Sequence, residues 1–140
     1  FLPSDILAAF LFAQLEQREL IQAKRKKIWE NYYEHLDAWA NENDIRLPAI
    51  PKNCEHPYHM FYILMPTHEK RTIFIQHLKK NGIMAVFHYL PLHLSEMGKK
   101  FGGKVGDCPV AENISDRLVR LPFYNDLNIE DLNFNCFYDF

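Results

Sequence analysis

The sequence predicts a small α/β domain, a two-layer sandwich with a short sheet and helices on one face, preceded by one long helix. Three observations lead there. Helical periodicity runs through most of the first forty residues; two apolar strand-like runs, 58–65 and 83–90, flank a helix-length segment that ends at Gly82; and 140 residues that are 48% hydrophobic and 14% aromatic suffice for a real core.

Pro3-Ser4-Asp5 supplies the first helix start, with Ser4 placed to cap free amides and Asp5 near the positive end of the helix dipole. This helix is expected to continue to about Asn41. Ile21, Ile28, Tyr32, Leu36 and Trp39 recur at spacings that line one face, so its second half reads as ordinarily amphipathic. Residues 6–13, Ile-Leu-Ala-Ala-Phe-Leu-Phe-Ala, are apolar around the whole circumference. Such a segment needs enclosure on all sides, and residues 1–43 are therefore expected to link and to form an interface, against another domain, a second subunit or both.

Residues 44–140 are expected to form the small domain itself. Pro48, Pro51 and Pro57 break up a connecting stretch, after which Tyr58 to Met65 reads as a central strand with apolar groups on both faces. A helix from about Glu69 to Asn81 presents Phe74, Ile75 and Leu78 to the sheet, with Gly82 as its left-handed stop. Ile83 to Leu90 follows as a second buried strand. Pro91 turns the chain out into a polar loop, Ser95 to Asp107. Helices near Pro109 to Leu118 and Ile129 to Tyr138 then flank a short extended piece, Val119 to Phe123.

Composition excludes several classes of function. A formal net charge of -2 gives no broad positive field, and the run Lys24 to Lys27 is offset by Glu16, Glu19 and Glu30, so nucleic acid is not an expected partner. Cys54, Cys108 and Cys136 are scattered and odd in number, which fits a reducing, cytoplasmic setting better than a disulfide framework. The longest apolar run, Ile6 to Ala13, is too short to span a bilayer and lacks the marks of a signal peptide. A chain that opens on Phe1, directly in hydrophobic sequence, is expected to have more protein upstream.

The densest polar group in apolar surroundings is Phe87-His88-Tyr89-Leu90-Pro91-Leu92-His93, at a strand end where α/β folds tend to hold ligands. His88, Tyr89 and His93 are the candidate substrate-binding residues. A protonated histidine and a phenol are suitable donors to a phosphate or a sugar hydroxyl. The competing reading of His88 is a core histidine bonded to backbone. Cys54-Glu55-His56-Pro57-Tyr58-His59 contains metal-binding atoms but matches no zinc spacing, so no metal site is assigned. There is no nucleophile elbow or phosphate-binding glycine loop, and Lys79, Lys80, Lys99 and Lys100 read as solvated charges; no catalytic residue is assigned.

The order of these segments resembles the C-terminal part of the DegT/DnrJ/EryC1/StrS aminotransferases, the sugar-nucleotide branch of the fold-type I PLP-dependent transferases. The likeness is carried by Phe1-Leu2-Pro3-Ser4-Asp5-Ile6-Leu7-Ala8-Ala9, Ala13-Gln14-Leu15-Glu16, Asn31-Tyr32-Tyr33, His59-Met60-Phe61-Tyr62-Ile63, Gly82 through His93, Ala111-Glu112 and Arg120-Leu121-Pro122-Phe123-Tyr124. Phe1-Leu2-Pro3 with Met84-Ala85-Val86-Phe87-His88-Tyr89 is most similar to the dTDP-4-amino-4,6-dideoxygalactose transaminases. The resemblance implies pyridoxal 5'-phosphate held by an N-terminal domain upstream of Phe1, with its catalytic lysine there. It also implies a homodimer through the N-terminal helix, and amino transfer from L-glutamate to dTDP-4-dehydro-6-deoxy-D-glucose for bacterial surface polysaccharide such as lipopolysaccharide or enterobacterial common antigen. The fragment alone is then inactive, with His88, Tyr89 and His93 closing over the sugar nucleotide. The rival reading is a non-catalytic binding domain whose N-terminal helix serves in dimerisation.

Overall fold

The computed structural model describes residues 2–140. Helix α1, Asp5–Glu16, starts where expected, with the Ser4 hydroxyl accepting the Leu7 amide at 3.4 Å. Gln17 interrupts the helical ladder, and α2 continues from Arg18–Glu42. The single long helix is thus two helices divided at one residue. Not one residue of α1 is buried, and Ile6 remains 83% exposed and Phe10 67%. This chain does not enclose its own most apolar helix. By contrast α2 buries Ile28, Trp29, Tyr32, Leu36, Trp39 and Ala40: four of the five residues in the predicted stripe, with Trp29 and Ala40 added and Ile21 only partly buried.

The sheet has three short antiparallel strands: β1, Tyr62–Leu64; β2, Val86–Phe87; and β3, Leu118–Arg120. Their order is β1-β3-β2, with Tyr62 and Val86 both opposite Arg120, and Ile63 and Phe87 both opposite Val119. Two expectations are corrected here. The 58–65 run does not supply the central strand: β3, from the short extended piece, lies between the other two. β3 pairs with a strand on each edge, whereas β1 has only an isolated bridge from Leu64 to Arg46 on its outer side. The 83–90 run is not a long buried strand either. Only Val86 and Phe87 pair, both exposed, while Ile83 and Ala85 alone reach the core.

Side chains alternate across a strand, so Ile63 and Val119 share one face and Tyr62, Leu64, Leu118 and Arg120 the other. On the first face, α2 and helix α3, His68–Lys80, pack through Leu36, Trp39, Phe74 and Leu78 onto Phe61, Ile63 and Val119. Gly82 closes α3 with φ +78, the left-handed turn that a side chain would strain. The expected C-terminal helix 129–138 is broken into a 3-10 turn at Ile129–Asp131 and a short helix, whose Cys136 and Phe137 seal the core against Trp39 and Phe74. Tyr32 ties α2 to the segment after β3 by donating its hydroxyl to the Pro122 carbonyl at 2.8 Å.

Burial separates two otherwise similar leucines. Leu36→Ala is expected to cost about 2–5 kcal/mol by chemical denaturation, because it empties a fully enclosed site. Leu7→Ala in α1 should change the stability of the same chain by no more than about 0.5 kcal/mol.

Candidate functional site

The strand end assigned to ligand binding stands open. Beyond Phe87 the chain exposes Tyr89, Leu90 and Leu92 at 75%, 68% and 85%, an apolar rim that water alone would not favour. His88 is half-buried, its ring 4.9 Å from that of Tyr89 in an edge-on arrangement. Its Nδ1 is shut off from solvent without a hydrogen-bond partner among the described residues, so that atom is not tied to backbone as a core histidine would be. Burial, and then the charge of Arg120, hold His88 below the ordinary histidine range. The neutral ring therefore predominates at pH 7, unlike the protonated donor that the sequence suggested.

His93 has a different neighbour. After a 3-10 turn at Leu92–Leu94 and helix α4, Glu96–Lys100, the chain folds back to helix α5, Pro109–Arg117. The predicted loop 95–107 thus contains a helix, capped by the Ser95 hydroxyl accepting the Gly98 amide at 3.0 Å. Glu112, in the first turn of α5, lies 2.8 Å from His93 Nε2 and accepts the amides of Gly106 at 2.9 Å and Cys108 at 3.3 Å. Gly98 packs against the carbonyls of Leu92 and His93, which a β-carbon there would strike. The structure therefore joins His88 to Tyr89 and sets His93 as the peg of a clamped loop. Ser115 connects the two parts, its hydroxyl donating to the Tyr89 carbonyl at 3.0 Å.

The clamp has a pH signature. Glu112 is held below the ordinary carboxylate range chiefly by the bond to His93, then by the Gly106 and Cys108 amides. A carboxyl lowered by folding adds its stability above the unfolded pKa and loses it as pH falls through the folded one. Followed by NMR, the Gly106 amide should titrate with a midpoint below the ordinary carboxylate range, and Glu112→Gln should abolish that transition. A midpoint at or above the ordinary value would show that the clamp is not formed.

Sequence reasoning missed three participants. Arg120 sits on β3 opposite Val86, Arg71 of α3 lies 5.7 Å from the centre of the Phe87 ring, and Glu112 organises the loop. Only Glu112 had a local signal, an acid in the first turn of a predicted helix. The Cys54 to His59 group is aromatic packing around a turn: the His56 ring lies 5.2 Å from Trp29, and His56 Nδ1 accepts the Tyr58 amide at 3.0 Å.

Every lysine is exposed, so none lies in an enclosed pocket of the kind imine chemistry uses. The residues described here do not by themselves fit a pyridoxal cofactor. Among them, too, no helix is long and apolar enough to cross a membrane.

A sequence model of the DegT/DnrJ/EryC1/StrS aminotransferase family matches residues 4–134. An uncharacterised protein of Methanocaldococcus jannaschii is 33% identical over 92% of this chain and 34% of its own length. The dTDP-4-amino-4,6-dideoxy-D-glucose transaminase of Escherichia coli is 32% identical over 91% of the chain and 34% of its own length. Among solved structures, a Streptococcus pneumoniae protein described as a sugar aminotransferase, in its PMP form, matches with a TM-score of 0.82 and 26% identity, over 95% of this chain and 33% of that one. The same protein has also been solved in a PLP form. The chain spans about a third of the length of the curated relatives it matches.

Proposed function

The chain belongs to the DegT/DnrJ/EryC1/StrS aminotransferase family, and on that premise we propose that it is the C-terminal, substrate-closing segment of a PLP-dependent sugar-nucleotide aminotransferase. The observation that carries this reading is the strand end at His88 and Tyr89, a polar pair on an exposed apolar rim that is half of a site. A free-standing binding module would be expected to finish such a pocket from its own residues.

In this reading PLP, when bound to the longer protein, supplies the electron sink for the reaction. The residues of this chain do the rest of the positioning. Tyr89 donates its phenol to a sugar hydroxyl or phosphate, neutral His88 offers one ring N–H, and the Glu112 clamp holds the loop that shuts water out around His93. The helix α1 covers itself against the cofactor domain and a second subunit, which makes the active enzyme a homodimer.

The substrates proposed are L-glutamate and dTDP-4-dehydro-6-deoxy-D-glucose, within synthesis of bacterial surface polysaccharide. Support comes from the Escherichia coli relative, whose name places the new amino group at C4 of a dTDP-linked 6-deoxy sugar. Amination of a C4 ketone creates a stereocentre: that relative's name has the gluco product, while Phe1-Leu2-Pro3 together with Met84-Ala85-Val86-Phe87-His88-Tyr89 of this chain resembles the galacto-forming branch. The test is to supply the longer protein carrying this chain with both substrates. Equimolar 2-oxoglutarate and a 4-amino sugar are expected, with H4 couplings in the NMR spectrum reporting the configuration. Amination of a 3-keto nucleotide sugar with none of the 4-keto one would overturn the assignment.

A further inference from the structure

Four arginines are partly buried: Arg25, Arg71, Arg117 and Arg120. Three have partners. Arg25 donates to Asn125 at 2.8 Å, Arg71 meets His68 at 2.9 Å, and Arg117 donates to the Met65 carbonyl at 3.3 Å. The guanidinium of Arg120 has no hydrogen bond or ion pair among the described residues; of the two acids on the helix leading into β3, Glu112 is committed to His93, Gly106 and Cys108, and Asp116 is exposed and forms no ion pair with it. A guanidinium stays charged at any working pH, so a partly desolvated one without a partner is costly unless something arrives to meet it.

The register says what surrounds it. Arg120 lies on the sheet face turned away from Ile63 and Val119, between Tyr62 on β1 and Val86 on β2. His88 follows the end of β2, near enough for the Arg120 charge to act on its ring. Arg120, a planar cation with five donors, thus has Tyr62 beside it in the register and the His88 imidazole close by. No carboxylate is bonded to any of the three among the described residues.

We infer that the sheet face around Arg120 and His88 is an oxyanion subsite, built to receive a carboxylate or a phosphate in a bidentate grip by the guanidinium. The chemistry stands on the arrangement alone. Its two sources, the amino donor's carboxylate or the nucleotide's phosphates, rest on the reading of the chain as part of a sugar-nucleotide aminotransferase.

The test follows the Arg120 Nε–H signal by NMR in the cofactor-free form of the longer protein carrying this chain, during titration with L-glutamate in one arm and inorganic pyrophosphate in the other, against sodium chloride at matched ionic strength. A saturable shift in either arm is expected, and the arm that saturates at lower concentration names the source. His88 signals should follow the same isotherm. Arg120→Gln should weaken binding by about tenfold or more, and Arg120→Lys, which keeps charge and bulk but loses the fork, by nearly as much. Shifts no larger than those of chloride in both arms would overturn the subsite, as would unchanged affinity in both folded variants. The two readings fail separately: if the longer protein aminates a nucleotide sugar while neither anion engages Arg120, the subsite falls and the function stands; saturable anion binding with no nucleotide-sugar turnover is the reverse.

Discussion

In solution the isolated chain is expected to self-associate through α1, and Phe10→Glu combined with Leu11→Glu to convert it to a monomer. The cause is area. Ile6, Leu7, Phe10, Leu11, Phe12 and Leu15 are each more than half exposed on twelve helical residues, and burying a large apolar side chain contributes about 1.5–3 kcal/mol. Two such losses should weaken association roughly a hundredfold or more. Because α1 makes no contribution to the core, the double variant should keep its unfolding midpoint at concentrations low enough for the wild-type chain to be monomeric as well. Sedimentation equilibrium measures the change; a wild-type chain that stays monomeric at every concentration would contradict the role given to the helix.

The second large effect belongs to the strand end. In the longer enzyme, Tyr89→Phe and His88→Ala are each expected to lower kcat/KM for the nucleotide sugar by about ten- to a hundredfold, the range of one charge-assisted or substrate-directed hydrogen bond. Tyr89→Phe should leave stability untouched, since the phenol is exposed and its hydroxyl has no partner among the described residues. His93→Ala should act differently, loosening the 92–108 loop that Glu112 holds. Kinetics indifferent to Tyr89 and His88 would favour an assembly domain over a catalytic one.

What was legible in the sequence was what local chemistry decides. The α2 stripe, the Ser4 cap, the Gly82 stop and the all-round apolarity of α1 each follow from residues within a turn or two of one another. Strand order was not legible, because it depends on which edges find partners: Val119 is flanked by residues no more strand-like than Phe61 or Val86, yet only its strand pairs with a strand on each edge. The break in the last helix reflects the demand of Phe137 for the pocket beside Trp39 and Phe74. At the site, the sequence placed His88 and Tyr89 together at a strand end, and the structure holds them there. It did not reveal that His93 would choose Glu112, nineteen residues on, or that the charge of Arg120 would act on His88. Those pairings are made by the fold.

In the proposed function this chain shapes a substrate site while the cofactor is held elsewhere. Its most direct measurement is to mix the chain with pyridoxal 5'-phosphate, reduce with borohydride and map the products by mass spectrometry. Scattered, substoichiometric labelling of the exposed lysines and no 2-oxoglutarate from L-glutamate is the predicted result. One lysine labelled stoichiometrically, with turnover, would contradict it.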